Sequence, residues 1–158
     1  MRALEALAKL CAVLAGVLLT GITLMTCASL IGRNTTGTTL VGDFELTGVA
    51  AGAAIALFLP WCQIKRGNII VDFFTAKATK RTQDRLDRFG ALLLAAAMAL
   101  MAWRTTLGGI NAYDTSSGTM MLGFPEWVVY VAMVPPLVLT AMIGLAQSVR
   151  GFETGVAE

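Results

Sequence analysis

Long apolar segments without any charged residue are the dominant pattern along this chain. Three of them cover residues 10–32, 46–64 and 127–149, and a helix needs about 20 residues to cross a hydrocarbon core of about 30 Å. A fourth segment, 89–110, is interrupted only by Arg104, whose long side chain can snorkel towards the nearer membrane surface. The pattern predicts an all-α, polytopic membrane protein forming a single domain over residues 1–158, with four transmembrane helices at about residues 8–32, 45–64, 89–110 and 126–149.

The first apolar segment also resembles a secretory signal peptide, because Arg2 precedes it. Its 23 residues exceed the apolar core of about 7–15 residues that signal peptides carry. The region around Cys27 offers no clean cleavage site of small residues. We therefore expect a retained helix.

Basic residues are distributed unevenly around the four segments. Seven of the twelve lie between the second and third predicted helices and three more flank the termini, whereas Arg33 and at most Arg104 lie on the other side. Cytoplasmic loops accumulate Lys and Arg. We therefore expect both termini and the loop over residues 65–88 in the cytoplasm.

The composition excludes several classes of function. Only 14% of the 158 residues are charged, whereas about a quarter of the residues in soluble domains are charged. The mean hydropathy is +0.73. A net charge of +2 is too small to indicate nucleic-acid binding. His is absent, which excludes a His-ligated haem, a His-containing metal site and a His general base. The apolar segments contain no Asp or Glu and the three cysteines form no CxxC motif, so we expect no proton relay, no thiol–quinone chemistry and no cofactor.

Small residues recur every fourth position in two predicted helices. Gly48, Gly52 and Ala56 follow this spacing in the second helix, and Ala91, Ala95 and Ala99 repeat it in the third. Such stripes allow close approach of another helix in lipid. The sequence leaves two interpretations open. The stripes pack the four helices on each other, or at least one stripe docks a second protein.

Two adjacent prolines interrupt the fourth predicted helix. Pro135 and Pro136 lack N–H donors, so the carbonyls of Val131 and Ala132 lose their helical partners and the helix should kink. Freed carbonyls ligate Na⁺ in broken-helix transporters. A kink satisfied by neighbouring helices or water is the reading that we favour.

The predicted cytoplasmic loop begins with an apolar stretch around Asp72. Such a segment prefers the bilayer interface to bulk water. Asp72 either caps a helix start, which we favour, or pairs with a cation of a partner. Further along, four cations recur at spacings typical of one helix face, which would meet anionic lipid headgroups or remain solvated: Lys77, Arg81, Arg85 and Arg88.

The chain resembles, from end to end, the small membrane subunit (Q subunit, DctQ-like) of tripartite ATP-independent periplasmic (TRAP) transporters. Arg33 follows the first helix, as in that family, and Glu45-Leu46 matches a pair that opens the second. The string Gly67-Asn68-Ile69-Ile70-Val71-Asp72 matches a Gly-His-Ile-x-Val-Asp motif, with Asn68 in place of the His. Asn cannot titrate near neutrality, which favours a structural role for the motif. Pro135 matches a proline common in the family's fourth helix.

The resemblance implies partners and a process. It implies assembly in the bacterial inner membrane with a large permease subunit (M subunit) of about twelve helices, an elevator-type carrier. It further implies a periplasmic binding protein that delivers organic acids such as dicarboxylates, and uptake driven by Na⁺. The small subunit would enlarge the static scaffold, and its partner-interface or motif residues would be Arg33, Glu45, Gly48, Gly52, Gly67, Asn68, Asp72 and Pro135.

A rival hypothesis is a self-sufficient small exporter that works as a homodimer. Such an exporter needs an ionisable side chain that faces the interior of the helix bundle. Arg104 is the one candidate among the apolar segments.

Overall fold

A computed structural model describes residues 2–37, 40–65, 67 and 80–150. Within those residues the chain forms four α-helices and no strand, apart from an isolated β-bridge between Gly118 and Pro125. The expected all-α fold with four long apolar helices is confirmed. The helices are α1 (Arg2–Thr36), α2 (Asp43–Ile64), α3 (Lys80–Asp114) and α4 (Trp127–Arg150).

All four helices are long and apolar enough to cross a membrane. α1 and α3 have 35 residues each, which corresponds to about 52 Å at a rise of about 1.5 Å per residue. That length exceeds a hydrocarbon core of about 30 Å. Both helices therefore extend beyond their apolar segments. α1 begins at Arg2 and α3 at Lys80, before the first residue of the respective apolar segment. The orientation with both termini in the cytoplasm stays a prediction from charge.

The helices pack in the spatial order α1, α2, α4, α3. α2 contacts α1 on one side and α4 on the other, whereas α3 contacts α4, and α1 meets α4 at few positions. Among the described helices, α3 touches neither α1 nor α2. Two helical hairpins, α1–α2 and α3–α4, are thus joined along the seam between α2 and α4. The result is an open row of helices with α1 and α3 at its edges.

Small side chains set the distance between α3 and α4. Ala91 and Ala95 of α3 are buried, and they face Gly144 of α4. A Cβ on Gly144 would lie 3.0 Å from the Cβ of Ala95 and 3.2 Å from the carbonyl oxygen of Ala91. Ala99 is exposed. Most of the alanine stripe on α3 therefore packs the chain on itself, through the close helix approach that small residues permit.

α4 remains one helix through its two prolines. It runs without interruption from Trp127 to Arg150, with Pro136 buried and Pro135 exposed. The hydroxyl of Thr140 donates a hydrogen bond of 2.7 Å to the carbonyl oxygen of Pro136. Because α4 is unbroken, it lacks the unwound segment through which broken-helix transporters bind ions.

Enlarging Gly144 should separate α3 from α4. We expect Gly144→Leu to destabilise the chain by about 1–3 kcal/mol, because overpacking forces backbone or rotamer shifts. The measurement is thermal unfolding in detergent micelles, followed by circular dichroism. Gly16 of α1 is the matched control, since no atom lies within 4 Å of a Cβ built there. Gly16→Leu should unfold no earlier than the unmodified chain, and equal losses in the two variants would contradict the prediction.

Candidate interaction sites

The loop between α3 and α4 folds over the start of α2, at the end of the molecule predicted to face outside the cell (the outer end). The carboxylate of Glu45 accepts hydrogen bonds from the backbone N–H groups of Met121, at 2.9 Å, and Leu122, at 3.2 Å. Hydrogen bonds to an ionised acceptor are stronger than those between neutral groups. We call this pair of hydrogen bonds the outer clasp, and it positions the loop on α2.

Gly42 permits this close approach. It is buried and has a φ of 79°, in the left-handed region that glycine adopts without a steric penalty. A Cβ on Gly42 would overlap the side chain of Leu122. Any other residue at this position would be strained at this φ and would force the side chain of Leu122 to move. Sequence reasoning identified Glu45 as a family-motif residue but missed the role of Gly42, because Leu122 is distant along the chain.

The loop held by the outer clasp is a tight turn with an apolar tip. The N–H of Thr119 donates to the carbonyl oxygen of Phe124 at 3.0 Å, and the N–H of Phe124 donates to the hydroxyl of Thr119 at 3.1 Å. These bonds leave Met120 fully exposed and Met121 largely exposed. Exposed methionines adapt to irregular apolar surfaces, so the tip is suited to contact lipid or another protein.

A pair of glutamines joins α2 to α4 at the opposite, inner end of the seam. The side-chain amide of Gln63 donates to the side-chain oxygen of Gln147 at 2.7 Å, and the amide of Gln147 donates to the backbone oxygen of Gln63 at 3.2 Å. Both side chains are buried. Buried amides in apolar surroundings need such partners, because a lost hydrogen bond is not replaced by water. Sequence reasoning missed this contact, although a single Gln in each of two apolar helices was the available signal.

The α1–α2 hairpin has its own polar contact near the outer end. The buried hydroxyl of Ser29 donates to the carboxylate of Asp43 at 2.5 Å. The hydroxyls of Thr26 and Thr47 lie 3.5 Å apart one turn deeper. Polar contacts of this kind stabilise the association of helices in lipid. The hydrophobic effect contributes little there, because lipid chains are as apolar as the side chains that they surround.

One face of α2 is left uncovered by the row. Gly48 is exposed and Gly52 is half-buried, and no atom lies within 4 Å of a Cβ built on either. Phe44 and Ile55 on the same side of the helix are 88% and 65% exposed. We call these four residues the glycine face. Ala56, the third small residue of the same spacing, is instead buried. The two glycines therefore lie on the uncovered side of α2, whereas Ala56 lies on the side that packs within the chain.

An apolar groove of about 450 Å³ lies between α3 and α4 near the outer end. Glycine again sets its shape, because a Cβ on Gly109 would lie 2.8 Å from the Cβ of Tyr130. The groove can hold an apolar chain and offers no ionisable ligand other than tyrosine. It is lined by Thr106, Gly109, Ile110, Tyr113, Trp127, Tyr130, Val131, Val134 and Pro135.

The remaining motif residues occupy both ends of the molecule. Arg33 is exposed in the last turn of α1, where a cation is favoured by the helix dipole. Gly67 closes the end of α2, because its N–H donates to the carbonyl oxygen of Cys62 at 2.9 Å. A Cβ on Gly67 would lie 3.0 Å from the sulfur of Cys62.

The predicted lipid-contacting cations are placed only in part. Arg81, Arg85 and Arg88 are exposed on the first turns of α3, and their contact with headgroups stays a prediction. Asn68, Asp72 and Lys77 lie outside the described residues, as does most of the predicted interfacial loop. Over the described ranges, no group of three or more His, Cys, Asp or Glu side chains could hold a metal ion.

Residues 22–154 match a family described as tripartite ATP-independent periplasmic transporters, DctQ component. The matched range begins within α1 and includes every motif position from Arg33 to Pro135. Comparison with curated proteins and with solved structures gives no match. The family match agrees with the resemblance read from the motifs.

Glu45→Gln should loosen the outer clasp. A neutral amide has one acceptor oxygen in place of two, and its hydrogen bonds are weaker than those of a carboxylate. We expect faster hydrogen exchange at the amides of Met121 and Leu122, measured by mass spectrometry in detergent. Glu126→Gln is the matched control, because no hydrogen bond or ion pair of the Glu126 carboxylate is found in the described part of the chain. Unchanged exchange in Glu45→Gln would contradict the clasp.

The glutamine pair should show strong non-additivity. Gln63→Leu or Gln147→Leu removes one member of the buried amide–amide hydrogen bond, which should cost about 1–3 kcal/mol. The double variant, which removes both amides, should recover part of that loss. Chemical or thermal unfolding of the four proteins in one detergent measures the coupling. Losses that simply add would show that the two amides do not interact.

Proposed function

Because the chain belongs to the DctQ family of tripartite ATP-independent periplasmic transporters, we propose that it braces the large permease subunit of such a transporter in the bacterial inner membrane. In this proposal the large subunit, with about twelve helices, is an elevator-type carrier. Na⁺ drives the uptake, and a periplasmic binding protein delivers an organic acid. The present chain carries no substrate itself, and it enlarges the static part against which the carrier domain moves.

The observation that carries the proposal is the open row of helices with its uncovered glycine face. In lipid, helices associate through close packing, and glycines let a second backbone approach. Among the described residues nothing fills the space above Gly48 and Gly52. A helix of the large subunit that packs against this face would occupy that space. Arg33 at the outer end would add a polar contact beside it.

The distribution of charged residues supports a bracing role. The segments 46–64, 89–110 and 127–149 contain no Asp or Glu, so these parts of the chain offer no carboxylate for a coupling ion. The rival homodimeric exporter needs an ionisable group in the bundle interior, but Arg104 is exposed on α3. The ion and substrate chemistry is therefore assigned to the partner subunit.

A brace must also resist tilting in the membrane. We assign this resistance at the inner surface to the cations Lys77, Arg81, Arg85 and Arg88, which would contact anionic lipid headgroups. Each cation near such a surface contributes about 1 kcal/mol. The Gly67–Asp72 motif would place the apolar segment along the bilayer interface, with Asn68 as a hydrogen-bonding residue and Asp72 as a cap or partner contact.

Gly52→Leu tests the docking role of the glycine face. A leucine there prevents the close backbone approach, so we expect the large permease subunit to co-purify in much reduced amounts with the tagged variant. Uptake of candidate organic acids, starting with C4-dicarboxylates, should fall in parallel in cells or liposomes that contain a Na⁺ gradient.

Two controls make this test decisive. Gly16→Leu places the same bulk on α1 in open space and should leave assembly intact. Thermal unfolding of the isolated Gly52→Leu chain should match that of the unmodified chain. Normal recovery of the permease with Gly52→Leu would remove the glycine face from the interface, and transport by the purified chain without any partner would overturn the proposed function.

A further inference from the structure

Arg104 is a charged side chain at membrane depth. It is the single charged residue between Phe89 and Tyr113. The rings of Tyr113 and Trp127 meet edge to face with centroids 5.9 Å apart, and such aromatic residues mark the membrane–water interface. Arg104 precedes Tyr113 by nine residues, or about 14 Å along the helix. With Tyr113 at that interface, the Cα atom of Arg104 lies within the hydrocarbon core.

Arg104 lies on the exposed side of α3. Leu100 and Leu107, one turn away in either direction, are also exposed, whereas Ala95 and Ala102 are buried on the side that faces α4. Within the described part of the chain, no hydrogen bond or ion pair involves the guanidinium of Arg104. A charge at this depth is unfavourable in bulk lipid and is normally paired.

The snorkelling towards the nearer surface that the sequence allows for Arg104 is opposed by the direction in which helical side chains lean. Side chains on a helix lean towards its N-terminus, and the N-terminus of α3 is at the end opposite Tyr113. Arg104 therefore leans towards the more distant surface, beyond Phe89, which lies 15 residues or about 22 Å away. To reach the nearer surface, the side chain must turn against its preferred direction. A partner at the same depth avoids this conflict.

A second polar side chain lies on the same exposed side of α3 as Arg104. Asn111 follows Arg104 by two helical turns and is exposed, with Leu107 between them. No hydrogen bond of the Asn111 side chain is found among the described residues. Polar side chains on transmembrane helices form hydrogen bonds across helix interfaces. Asn111 lies two residues before Tyr113, near the interface, so the polar side of α3 runs from the interface down to Arg104 in the hydrocarbon core.

We propose that Leu100, Arg104, Leu107 and Asn111, here called the arginine stripe, dock a transmembrane helix of the large permease subunit that presents a carboxylate to Arg104. Charge complementarity selects the carboxylate, because the guanidinium binds it with two parallel hydrogen bonds. The inference rests on the proposed function, since it supplies a contact between this chain and the permease. It also assigns Arg104 to assembly with the permease, whereas the rival exporter hypothesis assigns it to transport.

The test compares Arg104→Leu in the assembled transporter and in the isolated chain. In the assembly we expect about tenfold weaker retention of the permease, as for the loss of one interhelical polar contact. In the isolated chain the same variant should unfold at an equal or higher temperature, because it removes an unpaired charge from lipid. Arg104→Lys keeps the charge but loses the two-pronged geometry and should retain the permease to an intermediate extent.

Trp103→Leu is the matched control, because Trp103 is the exposed neighbour of Arg104 and points to another side of α3. It should retain the permease normally. Equal retention by Arg104→Leu and the unmodified chain would overturn the arginine stripe and leave the proposed function standing. A loss of stability in the isolated Arg104→Leu chain would also overturn it, by showing a partner within the chain. Absence of the permease from the unmodified preparation would overturn both proposals.

Discussion

The seam between α2 and α4 is the contact on which the rest of the fold depends. Lipid is as apolar as leucine, so the hydrophobic effect does not drive these helices together, and close packing with a few hydrogen bonds must do so. The buried amides of Gln63 and Gln147 join the two helices at the inner end. Glu45 joins α2 to the α3–α4 loop at the outer end. The packing of α2 on α4 and these polar contacts together join the two hairpins into one row.

An open row has a consequence for function. In a closed bundle of four helices each helix has two neighbours, whereas here α1 and α3 each have one main neighbour. Large apolar surfaces therefore remain uncovered, and some of them carry residues that suit protein more than lipid. The glycine face of α2 and the arginine stripe of α3 are the two uncovered surfaces to which we assign contacts with the permease.

Two of the residues that match the family motifs make contacts within the chain itself. Glu45 binds the α3–α4 loop of the same chain, and Gly67 closes the last turn of α2. A motif residue can thus be required for the shape of the subunit without touching a partner.

Four long apolar helices follow from the amino-acid sequence alone, because the length and hydropathy of a membrane span are local properties. The sequence also led to the DctQ family, through short motifs in order. Tertiary structure decided which faces are buried. Ala91–Ala95 and Gly48–Gly52 have the same four-residue spacing, yet the alanines pack on Gly144 and the glycines face outward. Periodicity places residues on one side of a helix, whereas the identity of the neighbouring helix depends on contacts between residues far apart in the chain.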